Sequence, residues 1–297
     1  MKIFSGSSNK PLTQEIANKL QIPVSPLDIF IFPDGERRVR VLGEVLEDNA
    51  IAIQSTANPP DQNYMELFFI VDALKRSGAK FVTAVIPYLG YQRQDHIFRS
   101  GEAVSLEVIV ETLEAVGVNR IITVDLHSPK IPELFNIKID HLSALSIFAE
   151  KIKSLSLNNF VLVSPDMGGI RRIKILSELL SGAQWATIEK NRDLVTGSVE
   201  ASKIEGKVKD KTAIIVDDMI SSGGTIDMAV NLLLENGAKS VFVFATHPVF
   251  SGEAVKILSN SKAEKIFVTD SILVSKEKQF SKLEMLSISG IIAKAIV

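Results

Sequence analysis

Cysteine is absent from the 297-residue chain, which excludes disulfides, thiolate catalysis and Cys-ligated zinc or iron–sulfur clusters. An excess of either charge is also absent: 33 Lys and Arg stand against 35 Asp and Glu, for a formal net charge of −2. Such balance gives no general attraction to nucleic acid or to an anionic membrane, so neither is expected as a partner. Any anion must be held by a local arrangement of groups. No uncharged apolar run reaches the ~18 residues of a membrane span, and the N-terminal MKIFSGSS has no stretch apolar enough for a signal peptide. These absences predict a cytoplasmic protein.

What the chain does have is apolar material, 46% of its residues, and a length that suits two domains of about 150 residues. Short, nearly continuous apolar runs at 50–54, 81–87, 120–125, 160–164, 212–216, 240–245 and 265–268 read as strands buried on both faces. Between them, 65–77, 105–116, 144–154, 171–180, 226–236 and 252–259 read as amphipathic helices, three of them followed by Gly78, Gly117 or Gly237. The alternation predicts an α/β fold with mainly parallel sheets flanked by helices. An internal echo points to duplication. GVNRIITVDLH (117–127) and GAKSVFVFATH (237–247) share a Gly, a buried strand and a His at one offset, with GAKFVTAVIP (78–87) a weaker copy. The seam is placed near 141–146, giving expected domains 1–143 and 144–297.

The strongest chemical signal is IIVDDMISSGGT (214–225). An apolar strand leads into paired carboxylates, a small-residue loop and the start of a helix. Glycines let backbone N–H groups approach a phosphate, and a helix N-terminus favours negative charge. Asp217 and Asp218 cannot bind phosphate themselves; they suit ribose hydroxyls or Mg²⁺. An ordinary strand–loop–helix turn capped by Ser or Thr would use the same residue types. Four more segments carry candidate chemistry: FPDGE (32–36), which locally also reads as a tight turn between strands, PYLGYQRQD (87–95), IITVDLH (121–127) and VSPDMGG (163–169). A fifth, IEKNR (188–192), puts two cations one residue apart on an extended chain, where both can reach one anion.

The 214–225 run resembles the phosphoribosyl diphosphate fingerprint of type I phosphoribosyltransferases and of the synthetases that make their substrate. The other segments resemble the ribose-phosphate diphosphokinases in order and spacing, from Ser5 to about Ile257. That resemblance implies two similar domains of type I phosphoribosyltransferase-like fold, the first on the ATP side and the second carrying the ribose 5-phosphate loop. It implies transfer of a diphosphate from ATP to ribose 5-phosphate, with Mg²⁺. Phe32, Asp34, Glu36, Arg93 and Gln94 would bind ATP, the first three from a neighbouring copy in a homo-oligomer built from dimers and often hexameric. His127 and Asp166 would serve the metal. Asp217 and Asp218 would face ribose hydroxyls, with Ser221, Ser222, Gly223, Gly224 and Thr225 around the 5-phosphate. Lys190 and Arg192 would be catalytic, at the root of a flexible loop.

The chain departs from the common pattern at Ser221 and Ser222, where Asp-Thr is frequent, at His96, where Lys or Arg is, and at Asn136, where Asp is. These leave regulation open. A phosphoribosyltransferase would not explain Phe32–Glu36 or Arg93–Asp95. A silent regulatory homologue would be expected to lose the Lys-x-Arg pair, the metal His or the phosphate loop, and all three are present.

Overall fold

A computed structural model describes residues 1–192 and 199–297, with side chains outside 190–202. Gly78, Gly117 and Gly237 each follow a helix with φ of 86°, 103° and 84°, a region that costs glycine nothing. At each, the next amide bonds back to the helix's last turn (Ala79 to Leu74, Val118 to Leu113, Ala238 to Leu233) at 3.0–3.1 Å. The glycine's own amide bonds to Lys75, Glu114 or Leu234 at 3.0 Å, and this double closure ends the helix and turns the chain into a buried strand.

The first compact unit comprises Met1–Ser143, Ser271–Leu273 and Ser287–Val297. It contains β1 (Lys2–Ser5), α1 (Lys10–Leu20), β2 (Leu27–Ile31), β3 (Arg37–Val41), β4 (Asn49–Ile53), α2 (Pro60–Arg76), β5 (Phe81–Ile86), α3 (Ser105–Ala115), β6 (Arg120–Val124) and β7 (Lys138–Leu142). The second unit holds Ala144–Asp270 and Val274–Leu286. Its elements are α4 (Leu145–Ser154), β8 (Phe160–Ser164), α5 (Ile170–Leu179), β9 (Trp185–Arg192), β10 (Val199–Glu205), β11 (Thr212–Ile220), α6 (Gly224–Glu235), β12 (Ser240–Pro248), α7 (Ala254–Asn260), β13 (Lys265–Thr269) and β14 (Leu283–Leu286). The C-terminal α8 (Ser289–Ile296) returns to the first unit.

The sheets repeat one plan. In the first unit β1-β4-β5-β6-β7 run parallel; in the second β8-β11-β12-β13-β14 do. After the opening strand each unit makes an antiparallel pair: β2–β3 stands as its own two-stranded sheet, while β9–β10 extends the larger one. The β5, β6, β8 and β13 interiors are buried throughout, as parallel strands covered on both faces should be.

This plan corrects the internal echo. β12, the strand of Gly237–His247, is third in its parallel run, the place β5 holds in the other. The GAK copy at 78–87 is therefore its counterpart, and His247, wholly buried, is not equivalent to His127. A second correction concerns β11, which runs on to Ile220 rather than ending before the carboxylates, because β12 also continues and pairs Asp217 with Ala245 and Ile220 with Pro248. On its other side β11 pairs with β8 only as far as Ile215.

Candidate active site

The early end of β8 exposes one flank of β11 just where Asp217 and Asp218 stand. The chain leaving β8 fills that flank. Asp166 starts a short turn by accepting from the Gly169 amide at 3.2 Å, and α5 follows at once. Its second residue pair delivers Arg172, whose guanidinium lies 3.3 Å from Asp217 and 3.4 Å from Asp218. Gly169 is required here, since a Cβ would lie 2.3 Å from the Ser164 hydroxyl.

One cation does not balance these carboxylates. Burial raises the Asp217 carboxyl well above its ordinary range, Asp218 raises it further, Arg172 lowers it and Asp166 raises it again. The cluster thus holds excess negative charge and acceptors, which suits hydroxyl donors or a cation.

The loop after β11 has the opposite character. Gly223 takes φ 83° at the N-cap of α6, and no side chain caps that helix. A Cβ at Gly223 would also come 3.2 Å from Leu258. The first amides of α6 are therefore presented without a competing cap, a natural seat for phosphate. The Ser221 hydroxyl meets that of Ser251 at 3.0 Å, and the Ser251 amide donates to the Ser221 carbonyl at 3.0 Å, which fixes the loop's entry. Ser222 and Thr225 are exposed, and Gly224 is half-buried.

In the first unit Arg93, Gln94 and His127 stand on the loops after β5 and β6. The β5 loop doubles back against the chain after β4: Gly90 donates to the Thr56 hydroxyl at 2.8 Å, and the Tyr64 hydroxyl donates to the Gly90 carbonyl at 2.8 Å. Tyr91 adopts φ 63°, and the turn closes with the Gln94 amide on the Tyr91 carbonyl at 2.7 Å. This leaves Arg93 and Gln94 exposed. His96 sits 2.7 Å from the Asp95 carboxylate. His127, one step beyond the β6 loop's buried Leu126, is exposed. Asn136 bonds through its amides to Glu114 at 2.6 and 3.0 Å, a structural tie.

Phe32, Asp34 and Glu36 form the tip of the β2–β3 hairpin. The Phe32 amide donates to the Glu36 carbonyl at 2.8 Å, Asp34 accepts from the Glu36 amide at 3.1 Å, and Gly35 has φ 92°. The turn and the functional reading of FPDGE are thus compatible. Beside that turn, where it pairs with Ile31 in the ladder, Arg37 donates to Glu66 of α2 at 2.7 Å. Glu66 is fully buried and also accepts from the Ser7 amide (2.6 Å), the Ser7 hydroxyl (2.8 Å) and Gln54 (2.9 Å).

Lys190 and Arg192 fall at the end of β9, opposite Ala201 and Val199 in its ladder with β10; their side chains lie outside the described residues. So do residues 193–198 of the expected catalytic loop, whereas 199–205 form β10.

Among the described residues no three His, Asp or Glu side chains stand together as a metal cage. Mg²⁺ takes oxygen ligands and binds through one or two carboxylates plus substrate phosphates, and Asp166, close enough to raise the Asp217 carboxyl, offers one.

Comparison with known proteins decides the family. Residues 1–117 match the N-terminal domain of ribose phosphate pyrophosphokinase, and 193–297 match the phosphoribosyl synthetase-associated domain. Ribose-phosphate pyrophosphokinases of Bacillus caldolyticus and Bacillus subtilis are each 40% identical, over all of this chain and 93% of theirs. The chain belongs to the ribose-phosphate pyrophosphokinase family. The crystal structure of phosphoribosylpyrophosphate synthetase from Mycobacterium smegmatis agrees with a TM-score of 0.93 at 36% identity, across 99% of this chain and 97% of that one. These are the diphosphokinases the motifs resemble, under another name, and the two-sheet α/β fold is theirs.

Three residues of this chain escaped sequence reasoning. Arg172 follows SPDMGG by three positions, and a buried acidic pair calls for a cation. Glu66 lies on the apolar side of α2, where a carboxylate needs partners. Gln92 sits inside PYLGYQRQD beside the residues singled out.

Proposed function

We propose that the protein transfers the β,γ-diphosphate of ATP to the 1-hydroxyl of ribose 5-phosphate, giving phosphoribosyl diphosphate and AMP. The observation that carries this reading is the pairing of an uncapped, glycine-started helix with half-buried Asp217 and buried Asp218 one loop earlier, in a chain of this family. The carboxylates would accept from the ribose hydroxyls while Ser221–Thr225 and the α6 amides hold the 5-phosphate. The exposed Arg93 and Gln94 would receive the nucleotide. Asp34 and Glu36 would reach ATP from a second copy, a reading supported by the exposed apolar tip of the hairpin, Phe30, Ile31 and Phe32.

Attack by the anomeric hydroxyl on the β-phosphorus is in line with departure of AMP, and charge grows on the bridging oxygens. Positioning and electrostatic stabilisation carry such a transfer. Lys190 and Arg192 are assigned to that charge from their spacing and place in the chain. His127 and Asp166 would hold Mg²⁺, which when bound neutralises phosphate charge. The absence of spanning helices among the described residues and the reaction's metabolites suit a cytoplasmic enzyme.

Steady-state kinetics of Arg93→Ala and Asp218→Asn test the division of labour. Loss of one charged hydrogen-bond partner should raise the matching KM at least about tenfold, for ATP in the first variant and ribose 5-phosphate in the second. The opposite pattern, or equal effects on both substrates, would overturn the assignment.

A further inference from the structure

The loop that carries His127 begins in an unfavourable conformation: Asp125, buried, has φ 36°. A non-glycine residue in that region must be held by its surroundings. Three successive amides show how. Asp125 donates to the Leu142 carbonyl at 2.9 Å, Leu126 to the His141 Nε2 at 2.9 Å, and His127 to the Gln92 Oε1 at 2.9 Å. The first acceptor is backbone on β7. The other two are side chains, and nothing in the family motif prescribes Gln at position 92.

Gln92 has an unusual balance. It is 1% exposed, and its Nε2 finds no hydrogen-bond partner. A buried amide with one end unsatisfied is worse for stability than a methionine or leucine of similar size. Its oxygen must therefore contribute something an apolar side chain could not. That oxygen reaches across from the β5 loop to the β6 loop, joining the segment of Arg93 and Gln94 to that of His127. His141 acts alongside it: acceptance at Nε2 requires that nitrogen to be unprotonated, with the ring proton on Nδ1.

We infer that Gln92 and His141 are positioning residues that pin the Asp125–His127 loop by its amides and so hold His127 where it serves Mg²⁺–ATP. The inference rests on the functional reading above only for what His127 does; the pinning itself stands on the hydrogen bonds.

The test compares Gln92→Met, which keeps the volume and removes the acceptor, with Gln92→Glu, which keeps an oxygen at the same reach. Amide hydrogen exchange of the full chain without ligands reads the pinning. Gln92→Met should speed exchange at His127 about tenfold or more, as expected where a local bond closing a loop is lost, with Gln92→Glu near the parent. Mn²⁺–ATP titration without ribose 5-phosphate should show weaker binding in Gln92→Met. In turnover, its Mg²⁺ requirement should rise while the KM for ribose 5-phosphate stays put. Should Gln92→Glu fold poorly, His141→Phe against His141→Gln puts the same question to the Leu126 amide. Unchanged exchange in Gln92→Met would overturn the pinning, and faster exchange with unaltered Mn²⁺–ATP binding would overturn its link to the metal. A parent chain without turnover would sink the functional reading, yet exchange and Mn²⁺ binding would still judge this one.

Discussion

Replacing Glu66 with Gln should cost the first unit about 3 kcal/mol, the low end for breaking a buried ion pair. Both carboxylate oxygens are committed: one to the Ser7 amide and Gln54, the other to the Ser7 hydroxyl and Arg37. An amide must set its NH₂ against one of these donor pairs. The backbone amide of Ser7 cannot accept, and turning Gln54 would break the bonds its oxygen receives from Ser8 at 3.1 and 2.7 Å. The cheaper choice puts NH₂ toward the Ser7 hydroxyl, which can rotate, and toward Arg37, which cannot accept. The loss is then one charge-assisted bond, about 1.5–3 kcal/mol, plus a guanidinium only 13% exposed left with the Gln62 oxygen at 3.0 Å. At about 2–4 °C per kcal/mol for a unit of this size, melting should fall by about 6–12 °C. A double-mutant cycle with Arg37→Met, followed by urea and thermal unfolding, isolates the pair. Because Arg37 adjoins Glu36, the KM for ATP should rise with that for ribose 5-phosphate unchanged. A Glu66→Gln protein within about 0.5 kcal/mol of the parent, the range of ordinary surface changes, would refute the reasoning.

The carboxylate pair predicts a pH effect. A carboxyl raised from its ordinary 3.8 binds its proton more tightly folded than unfolded, so stability without ligands should fall as pH rises from about 4 through the raised value. Asp217→Asn should therefore raise the melting temperature at pH 8 more than at pH 4, while activity falls; equal shifts at both would contradict the charge argument. Arg172→Met should act in the opposite direction, lowering melting at pH 8 by more than at pH 4, measured in the same scans. Gly90→Ala would set a Cβ 2.4 Å from the Thr56 carbonyl oxygen and should cost about 1–3 kcal/mol in unfolding experiments as an overpacked site.

What was legible in the sequence is what repeats or is buried on every side. The parallel interior strands are continuous apolar runs, and the Gly78, Gly117 and Gly237 closures mark where their helices stop. Edge and hairpin strands hide because they are half-exposed: β3 is RRVRV and β7 is KIDHL, neither an apolar run. The α1 helix has no acidic residue in its first turn and only Asn9 as cap, a faint signal. In the site, the loops were readable because small residues, paired Asp and Arg-Gln-Asp are local strings. Arg172, Glu66 and Gln92 were not, since each acts on residues distant in sequence. Their meaning is a partner, and the partner is set by topology: by β8 ending early beside β11, and by β5 and β6 lying side by side.

Product analysis by ³¹P NMR is the most direct test of the whole account. Purified protein would be incubated with Mg²⁺, ATP and ribose 5-phosphate, beside Lys190→Ala. AMP and phosphoribosyl diphosphate should appear in equal amounts and fall by about a hundredfold or more in the variant, as when a group stabilising transition-state charge is removed. ATP left intact across nucleotide and phosphate concentrations, with ligands still bound, or ADP as the product, would contradict it.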